Sequence, residues 1–292
     1  MSASPVLVYG ATGTQGGPVA DQLLAAGRPV RVVTRNAERA QPLADRGAEV
    51  AVADLGDPGS LRAAHRGVHR VVLHLPLQYD FVLHERYGRN AIDAARDAGV
   101  SMLVFNTSAQ VLDDPAVTAY RVRQEMVDYL QASGVPNVVL QPTFYMDNFL
   151  GPWIKTGITQ DGVLAFALPP DLPMSWISSQ EAAAHAIEAL DRPELAGMVF
   201  DIGGSEALTG GDLVAGFTDV LGRPVTYFGI EPDAYEQAIL PLFGTAVAYE
   251  VAQQVRCIIG RGDGTVDMTH PRNHLKVTPL PLRQWIAQQD WA

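Results

Sequence analysis

Short apolar runs alternate along this chain with longer segments whose apolar positions recur every three to four residues. Val6-Leu-Val-Tyr9, Val30-Arg-Val-Val33, Glu49 to Ala53, Arg70 to Leu75, Met102-Leu-Val-Phe105 and Asn137-Val-Val-Leu-Gln141 have the mostly unbroken apolar character of strands covered on both faces, as a parallel sheet requires. Between them, Val19 to Ala26, Phe81 to Ala98 and Tyr120 to Gly134 carry helical periodicity, the first closed by Gly27 and the second by Gly99. Asp57-Pro58 starts a further helix with an N-cap and a proline at the first position. This alternation predicts a doubly wound parallel α/β sheet of the Rossmann type over residues 1–150. From Gly151 the pattern loses regularity, with Trp153, Phe166, Pro169-Pro170, Pro173 and Trp176. Residues 151–292 therefore read as a smaller, discontinuous α/β lobe that binds substrate. Segments near 175–190 and 197–203, a serine-capped helix from Ser178 and a strand over Met198 to Ile202, are expected to pack back onto the larger domain.

The first strand breaks into Gly10, Gly13 and Gly16 before a helix begins. In that strand-to-helix context Gly10 makes the turn, Gly13 admits close approach of backbone N–H groups to a pyrophosphate, and Gly16 allows tight helix packing. The phosphates would face the positive end of the helix, with Thr12, Thr14 and Gln15 around them. At the end of the second strand, where a carboxylate would grip an unphosphorylated ribose, the chain has Thr34-Arg35-Asn36. A guanidinium there pairs with a 2′-phosphate, which favours NADP(H) over NAD(H), and Arg39 lies one helical turn on.

The segment Gly10-Ala-Thr-Gly-Thr-Gln-Gly16 resembles the fingerprint of the NmrA-like family, atypical short-chain dehydrogenase/reductases. Gln15 is its most telling letter. Asp54-Leu55-Gly-Asp-Pro58 is similar to the family segment that edges the adenine, although Asp54 also reads as a plain loop residue. His74, Leu75 and Pro76 end the fourth strand on the cofactor's ribose side, His74 either as a proton donor or as a structural residue. Thr107 and Ser108 stand where relatives orient substrate. Pro142-Thr-Phe-Tyr-Met-Asp-Asn-Phe-Leu150 resembles the segment over the nicotinamide. It implies Phe144 as a cover for the ring and Tyr145, Asn148 and Trp153 as substrate contacts; the alternative is that these aromatics fill core.

The superfamily's usual dyad is Tyr-x-x-x-Lys, the ammonium helping the phenol to pass a proton to a carbonyl. Lys155 and Lys276 are the only lysines, and four residues before them stand Gly151 and Arg272, so the dyad is missing. Aligned on Glu125 and Ser133-Gly134, Arg123 occupies the position where many family members have lysine. Tyr120 reads either as a donor or substrate contact or as an amphipathic surface residue.

Composition narrows the classes further. The chain has 292 residues, 47% hydrophobic, and a net charge of −11, which opposes attraction to nucleic acid or anionic membrane. Acidic and basic residues nearly balance over 1–100, and the acid excess lies beyond, so positive charge concentrates in the half expected to hold phosphates. Cys257 is the single cysteine, read as a small buried residue in a reducing compartment. With no basic leader and no membrane-length apolar run, a cytoplasmic protein is expected. His270 and His274 have Pro271 between them and no acidic ligands nearby, so no metal is expected. The implied activity is NADPH-dependent reduction of a small apolar acceptor, a quinone, enone or imine. The alternative is a non-catalytic NADP(H) sensor acting through a protein partner. A homodimer or a protein partner are the alternatives for assembly.

Overall fold

The computed structural model describes residues 4–76 and 78–291. In the first half, strand and helix alternate as β1 (Val6–Val8), α1 (Gly16–Ala25), β2 (Val30–Thr34), α2 (Ala37–Ala44), β3 (Glu49–Val52), α3 (Pro58–Ala64), β4 (Arg70–His74), α4 (Phe81–Asp97), β5 (Met102–Asn106), α5 (Thr118–Ala132) and β6 (Asn137–Pro142). The chain continues through β7 (Phe144–Tyr145), α6 (Pro152–Thr156), β8 (Val163–Phe166), β9 (Met174–Ile177), α7 (Ser179–Leu190), β10 (Val199–Ile202), β11 (Ala207–Leu208), α8 (Gly210–Leu221) and β12 (Thr226–Gly229). Four helices complete it: α9 (Pro232–Phe243), α10 (Thr245–Arg261), α11 (Thr269–His274) and α12 (Leu282–Gln288).

Seven strands form one parallel sheet in the order β10-β6-β5-β4-β1-β2-β3. Side-chain alternation divides its residues between two cores. Val6, Val8, Val30, Val32, Val72 and Val104 face α1 and α7, whereas Leu7, Val33, Val71, Leu73, Leu103 and Phe105 face α3, α4 and α5. Both faces are therefore apolar, which is why the strands read as continuous hydrophobic runs. The helix α7 packs on α1, and β10 joins the sheet beside β6, so chain from beyond residue 151 returns to the larger sheet.

The remaining elements enclose a separate core around two small sheets, β11-β9-β7 and β12-β8. Phe149, Trp176, Phe217 and Trp285 meet there mostly edge-on or tilted, with ring centroids 4.8 Å apart for Phe149–Trp176 and 5.7 Å for Phe149–Phe217. No helix among the described residues is long and apolar enough to cross a membrane.

Two glycines set the geometry of the first turn. Gly10 has φ +66°, a left-handed conformation costly to any residue with a Cβ. A Cβ on Gly16 would fall 2.4 Å from the Gly10 carbonyl oxygen, so α1 lies on β1 only because that atom is missing. α1 starts at Gly16, earlier than the Val19 start expected from the sequence. Pro18 explains the difference: in a first turn its missing N–H removes no hydrogen bond.

Candidate functional site

The sheet order reverses between β1 and β4, and the carboxyl ends of these strands open on the crevice where doubly wound folds bind ligands. There the Gly10–Gly16 turn delivers the N-terminus of α1 without a side-chain cap and without an acid in its first turn. Donors and positive dipole are thus left for an anion. The Gln15 Oε1 atom is buried there with no protein partner.

Further along the crevice, Thr34 Oγ1 accepts from the Asn36 N–H (3.1 Å), and Asn36 in turn caps α2 through Glu38 N–H (2.9 Å). These bonds fix the loop and leave Arg35 exposed, with no ion pair among the described residues. Asp54 uses its carboxylate on the Gly56 N–H at 2.6 Å, and Leu55 offers its carbonyl to Asn90 Nδ2 at 2.8 Å. Both lie at the end of β3, and both help to shape the loop.

His74 ends β4 beside Gly10, whose added Cβ would come within 3.3 Å of the His74 Cβ. The ring is 5% exposed and neither nitrogen has a protein partner. Burial pushes its pKa down to about 4, so the imidazole is neutral at physiological pH. Leu75 beside it is buried and Pro76 exposed.

At the end of β5, Asn106 organises the neighbourhood. Its Oδ1 accepts from the Ser108 N–H at 2.7 Å, and its Nδ2 donates to the Tyr145 oxygen at 3.1 Å. Ser108 is the one non-glycine residue with positive φ (+66°) among those described, a strain of about 1–3 kcal/mol held by its surroundings. Thr107 donates to the Ala109 carbonyl at 2.6 Å, with Leu140 O at 3.2 Å, and so braces the same loop. Tyr145 is buried in the larger core. Asn148 and Trp153 are exposed, Trp153 to 54%. None of these three lines the cleft described next.

That cleft lies between the end of the large sheet and α10. Phe144, Leu112, Met174 and Ile258 form its apolar walls; Tyr120, Gln110, Gln254, Arg261, Asp263 and Thr265 supply its polar ones, around a cavity of about 30 Å3. Phe144 stands edge-on to Phe166 and Trp176, at 6.0 and 5.8 Å. Tyr120 is 3% exposed, and burial drives its phenol well above the ordinary range, assisted by Cys257 and opposed by Arg123. Cys257 is half-buried and its thiol is pushed up to about 11, chiefly by burial and by Asp114.

Arg123 lies three residues along α5 but turns elsewhere. Its Nη1 donates to Gln254 Oε1 at 3.1 Å, and burial lowers its pKa against the pull of Tyr79, Tyr120 and Glu250. Glu250, 7% exposed, accepts the Ala119 N–H at 3.2 Å and so occupies the start of α5, where Val117 at the cap position offers no side-chain hydrogen bond. The contribution of α10, through Glu250, Gln254, Ile258 and Arg261, is missing from the sequence reading. The recurrence of Ala248, Ala252, Val255 and Ile258 was the available signal for that helix.

His270 stacks on Phe200 with centroids 5.0 Å apart, His274 lies tilted to Phe200 at 5.8 Å, and the two imidazoles meet edge-on at 4.8 Å. Among the described residues no group of three or more His, Cys, Asp or Glu side chains is placed to hold a metal.

Comparison with known proteins agrees with this architecture. The chain is 34% identical over 288 residues to (4-alkanoyl-5-oxo-2,5-dihydrofuran-3-yl)methyl phosphate reductase of Streptomyces griseus, covering 97% of each chain. It is 33% identical over 234 residues to NAD(P)H azoreductase of Xenophilus azovorans, covering 80% of each. The fold is shared with Citrobacter sp. triphenylmethane reductase complexed with NADP(H), at TM-score 0.81 and 22% identity over 97% of this chain and 99% of that one. It is shared also with the Escherichia coli NADPH-dependent quinone oxidoreductase complexed with NADPH, at TM-score 0.79 and 23% identity over 97% and 98%. The NmrA-like family model matches residues 2–286, and the chain belongs to the NmrA-like family.

Proposed function

We propose that the protein is an NADPH-dependent oxidoreductase that reduces a small, conjugated, largely apolar acceptor, a quinone, enone or imine. The observation that carries the reading is the juxtaposition of an uncapped glycine turn at the sheet's switch point with an apolar cleft walled by Phe144, Met174 and Ile258. The names of the relatives, an azoreductase, a dihydrofuranyl phosphate reductase and a quinone oxidoreductase, support it.

The residues present fit NADP(H). Gln15 Oε1 and both His74 ring nitrogens are buried and unpartnered, and the turn from Gly10 to Gly16 leaves backbone donors for a pyrophosphate. Arg35 would hold the 2′-phosphate, Asp54 and Leu55 would edge the adenine, and His74, Leu75, Pro76, Thr107 and Ser108 would line the ribose and nicotinamide side, with Phe144 against the ring. When bound, NADPH supplies a hydride, so the acceptor gains two electrons and needs one proton to reach its reduced form.

The chain's own contribution is to hold the acceptor in position. Tyr120 stays protonated and offers a hydrogen bond to an acceptor oxygen or nitrogen; its phenol is too weak an acid to release a proton readily. Arg123 hydrogen-bonds without releasing one. A quinone suits such a site, since its reduced oxygen takes the proton from water.

The test is titration with NADPH and NADH, followed by absorbance at the nicotinamide band while quinones, enones and imines are added. Acceptor-dependent consumption of NADPH is expected. Tight NADPH binding without consumption across the panel would replace this reading with that of a dinucleotide sensor, which the missing Tyr-x-x-x-Lys dyad would suit.

A further inference from the structure

Thr143 joins β6 to β7 and lines the cleft beside Phe144. Its N–H donates to the Ile202 carbonyl at 2.9 Å, which ties its backbone to the end of β10, and the residue is 3% exposed. Its Oγ1 atom is buried with no hydrogen-bond partner among the described residues. Other polar groups of the cleft are already engaged. Gln254 accepts from Arg123 and donates to the Glu250 carbonyl at 3.3 Å, and Asp263 accepts the Thr265 N–H at 2.8 Å. Of the described polar residues lining this cleft, Thr143 alone has a side-chain oxygen that is both buried and unpaired.

A hydroxyl so placed calls for a ligand. Buried polar groups are nearly always paired, and an unpaired one destabilises the fold; valine, of nearly the same shape, would fill the position without that penalty. The hydroxyl is too weak an acid to release a proton at neutral pH, but it can donate one hydrogen bond. The cavity of about 30 Å3 admits one or two water-sized groups, and Tyr120 borders it from α5. A ligand atom in so small a space lies beside the Thr143 side chain. Phe144, the next residue, is the one proposed to lie against the nicotinamide.

We propose that the Thr143 hydroxyl is the hydrogen-bond donor that holds the acceptor's oxygen, and that the acceptors react through a conjugated carbonyl. The proposal rests on the reductase reading for the reaction but not for the binding of an oxygen at Thr143. A hydride from NADPH, which becomes NADP+, forms a C–H bond on the conjugated system. The displaced π pair leaves its charge on the carbonyl oxygen, and water returns a proton to the product, leaving hydroxide. The hydrogen bond from Thr143 strengthens as that oxygen gains charge, so it lowers the barrier more than it tightens ground-state binding.

The experiment uses the full chain and two substitutions, Thr143→Val, which exchanges the hydroxyl for a methyl, and Thr143→Ser, which keeps it. Turnover of 1,4-benzoquinone and 2-cyclohexen-1-one is read by NADPH consumption. Binding of 4-nitrophenolate, which stands in for the charged oxygen, is read by absorbance titration with NADP+ present, and stability by Tm. Thr143→Val is expected to lower kcat/KM roughly tenfold, about 1.4 kcal/mol and mostly in kcat, and to raise the phenolate Kd by a similar factor. Its Tm should stay at or above the wild-type value, because the hydroxyl has no protein partner to lose. Thr143→Ser should retain near wild-type constants. A lower Tm accompanying the losses in Thr143→Val would reveal a structural bond instead and overturn the proposal. Wild-type turnover and phenolate affinity in Thr143→Val, or losses that serine shares in full, overturn it as well, as does a wild type that neither reduces the probes nor binds phenolate. If the wild type reduces neither carbonyl probe, the reductase reading fails, whereas phenolate binding weakened by valine and kept by serine upholds Thr143 as the donor.

Discussion

At the scale of single residues, the loops are decided by a few atoms with no substitute. Gly16→Ala sets a methyl carbon against the Gly10 carbonyl, which cannot move without lifting α1 from β1. We expect loss of dinucleotide binding in calorimetry together with a lower Tm; an alanine variant that binds NADPH normally would mean the turn has slack that the packing does not show. In the proposed role Arg35 would act by charge, being exposed and free of protein ion pairs among the described residues. Arg35→Ala is expected to weaken NADPH binding by about 1–3 kcal/mol, the scale of a charge-assisted contact, and to leave NADH binding nearly unchanged. Equal losses for the two dinucleotides would place 2′-phosphate recognition elsewhere. The exposed place of Arg35 just past β2 was legible in the sequence because it depends only on where the apolar strand ends. The set of bonds around Asn106 was not, because it depends on Tyr145 arriving from thirty-nine positions away to meet the same amide.

At the scale of elements, α5 illustrates how one helix can be built by another. Its cap position is Val117, which has no oxygen to offer, and Glu250 of α10 takes the Ala119 N–H instead. Glu250→Ala is therefore expected to lower stability by about 1–2 kcal/mol, the usual worth of a lost cap, as measured by chemical denaturation. Because Tyr120 follows directly on the capped turn, the same variant should raise the KM of any acceptor; a stability loss with unchanged KM would show that α5 holds its position without this strut. The example also explains what sequence reading saw and missed. Five of the six strands of the first half announced themselves as apolar runs because they are largely buried on both faces, whereas the edge strand β3, with Glu49 and Val52 exposed, was legible only by its alternation with the helices around it. The cleft did not, because its far wall is a helix whose buried positions include two alanines of low hydrophobic contrast, Ala248 and Ala252, and a glutamate, Glu250. Tyr120 and Arg123, read together from one helix, separate in space: the first lines the cleft and the second hydrogen-bonds Gln254 of α10.

At the scale of the whole molecule, buried titratable groups make stability depend on pH in two opposing ways. His74 and His84 are each pushed down to about 4 from 6.5 by burial, Arg123 adding to the effect at His84. Between those values the unfolded chain binds protons that the folded chain refuses, so stability falls as pH drops from 6.5 toward 4. A shift of that size at His74 alone corresponds to about 3 kcal/mol. Glu181 works in the other direction. Burial raises it from 4.5 to about 7, against the Leu280 N–H and Arg272, so the folded chain holds a proton that the unfolded chain has lost. Its stabilising contribution is complete below 4.5 and disappears as pH rises to 7. The two histidines outnumber the carboxyl, and His65 and His185 are lowered in the same sense as His74. The wild-type Tm should accordingly fall on acidification from pH 6.5 to 4, though less steeply than the histidines alone would dictate. Glu181→Gln removes the opposing group while keeping its size and a hydrogen-bond acceptor for Leu280. In differential scanning calorimetry across this range the variant should gain stability at pH 7 relative to the wild type and show the steeper acid loss. A variant whose Tm runs parallel to the wild type from pH 4.5 to 7 would mean that Glu181 is ionised in the folded chain and that solvent or Arg272 carries its charge.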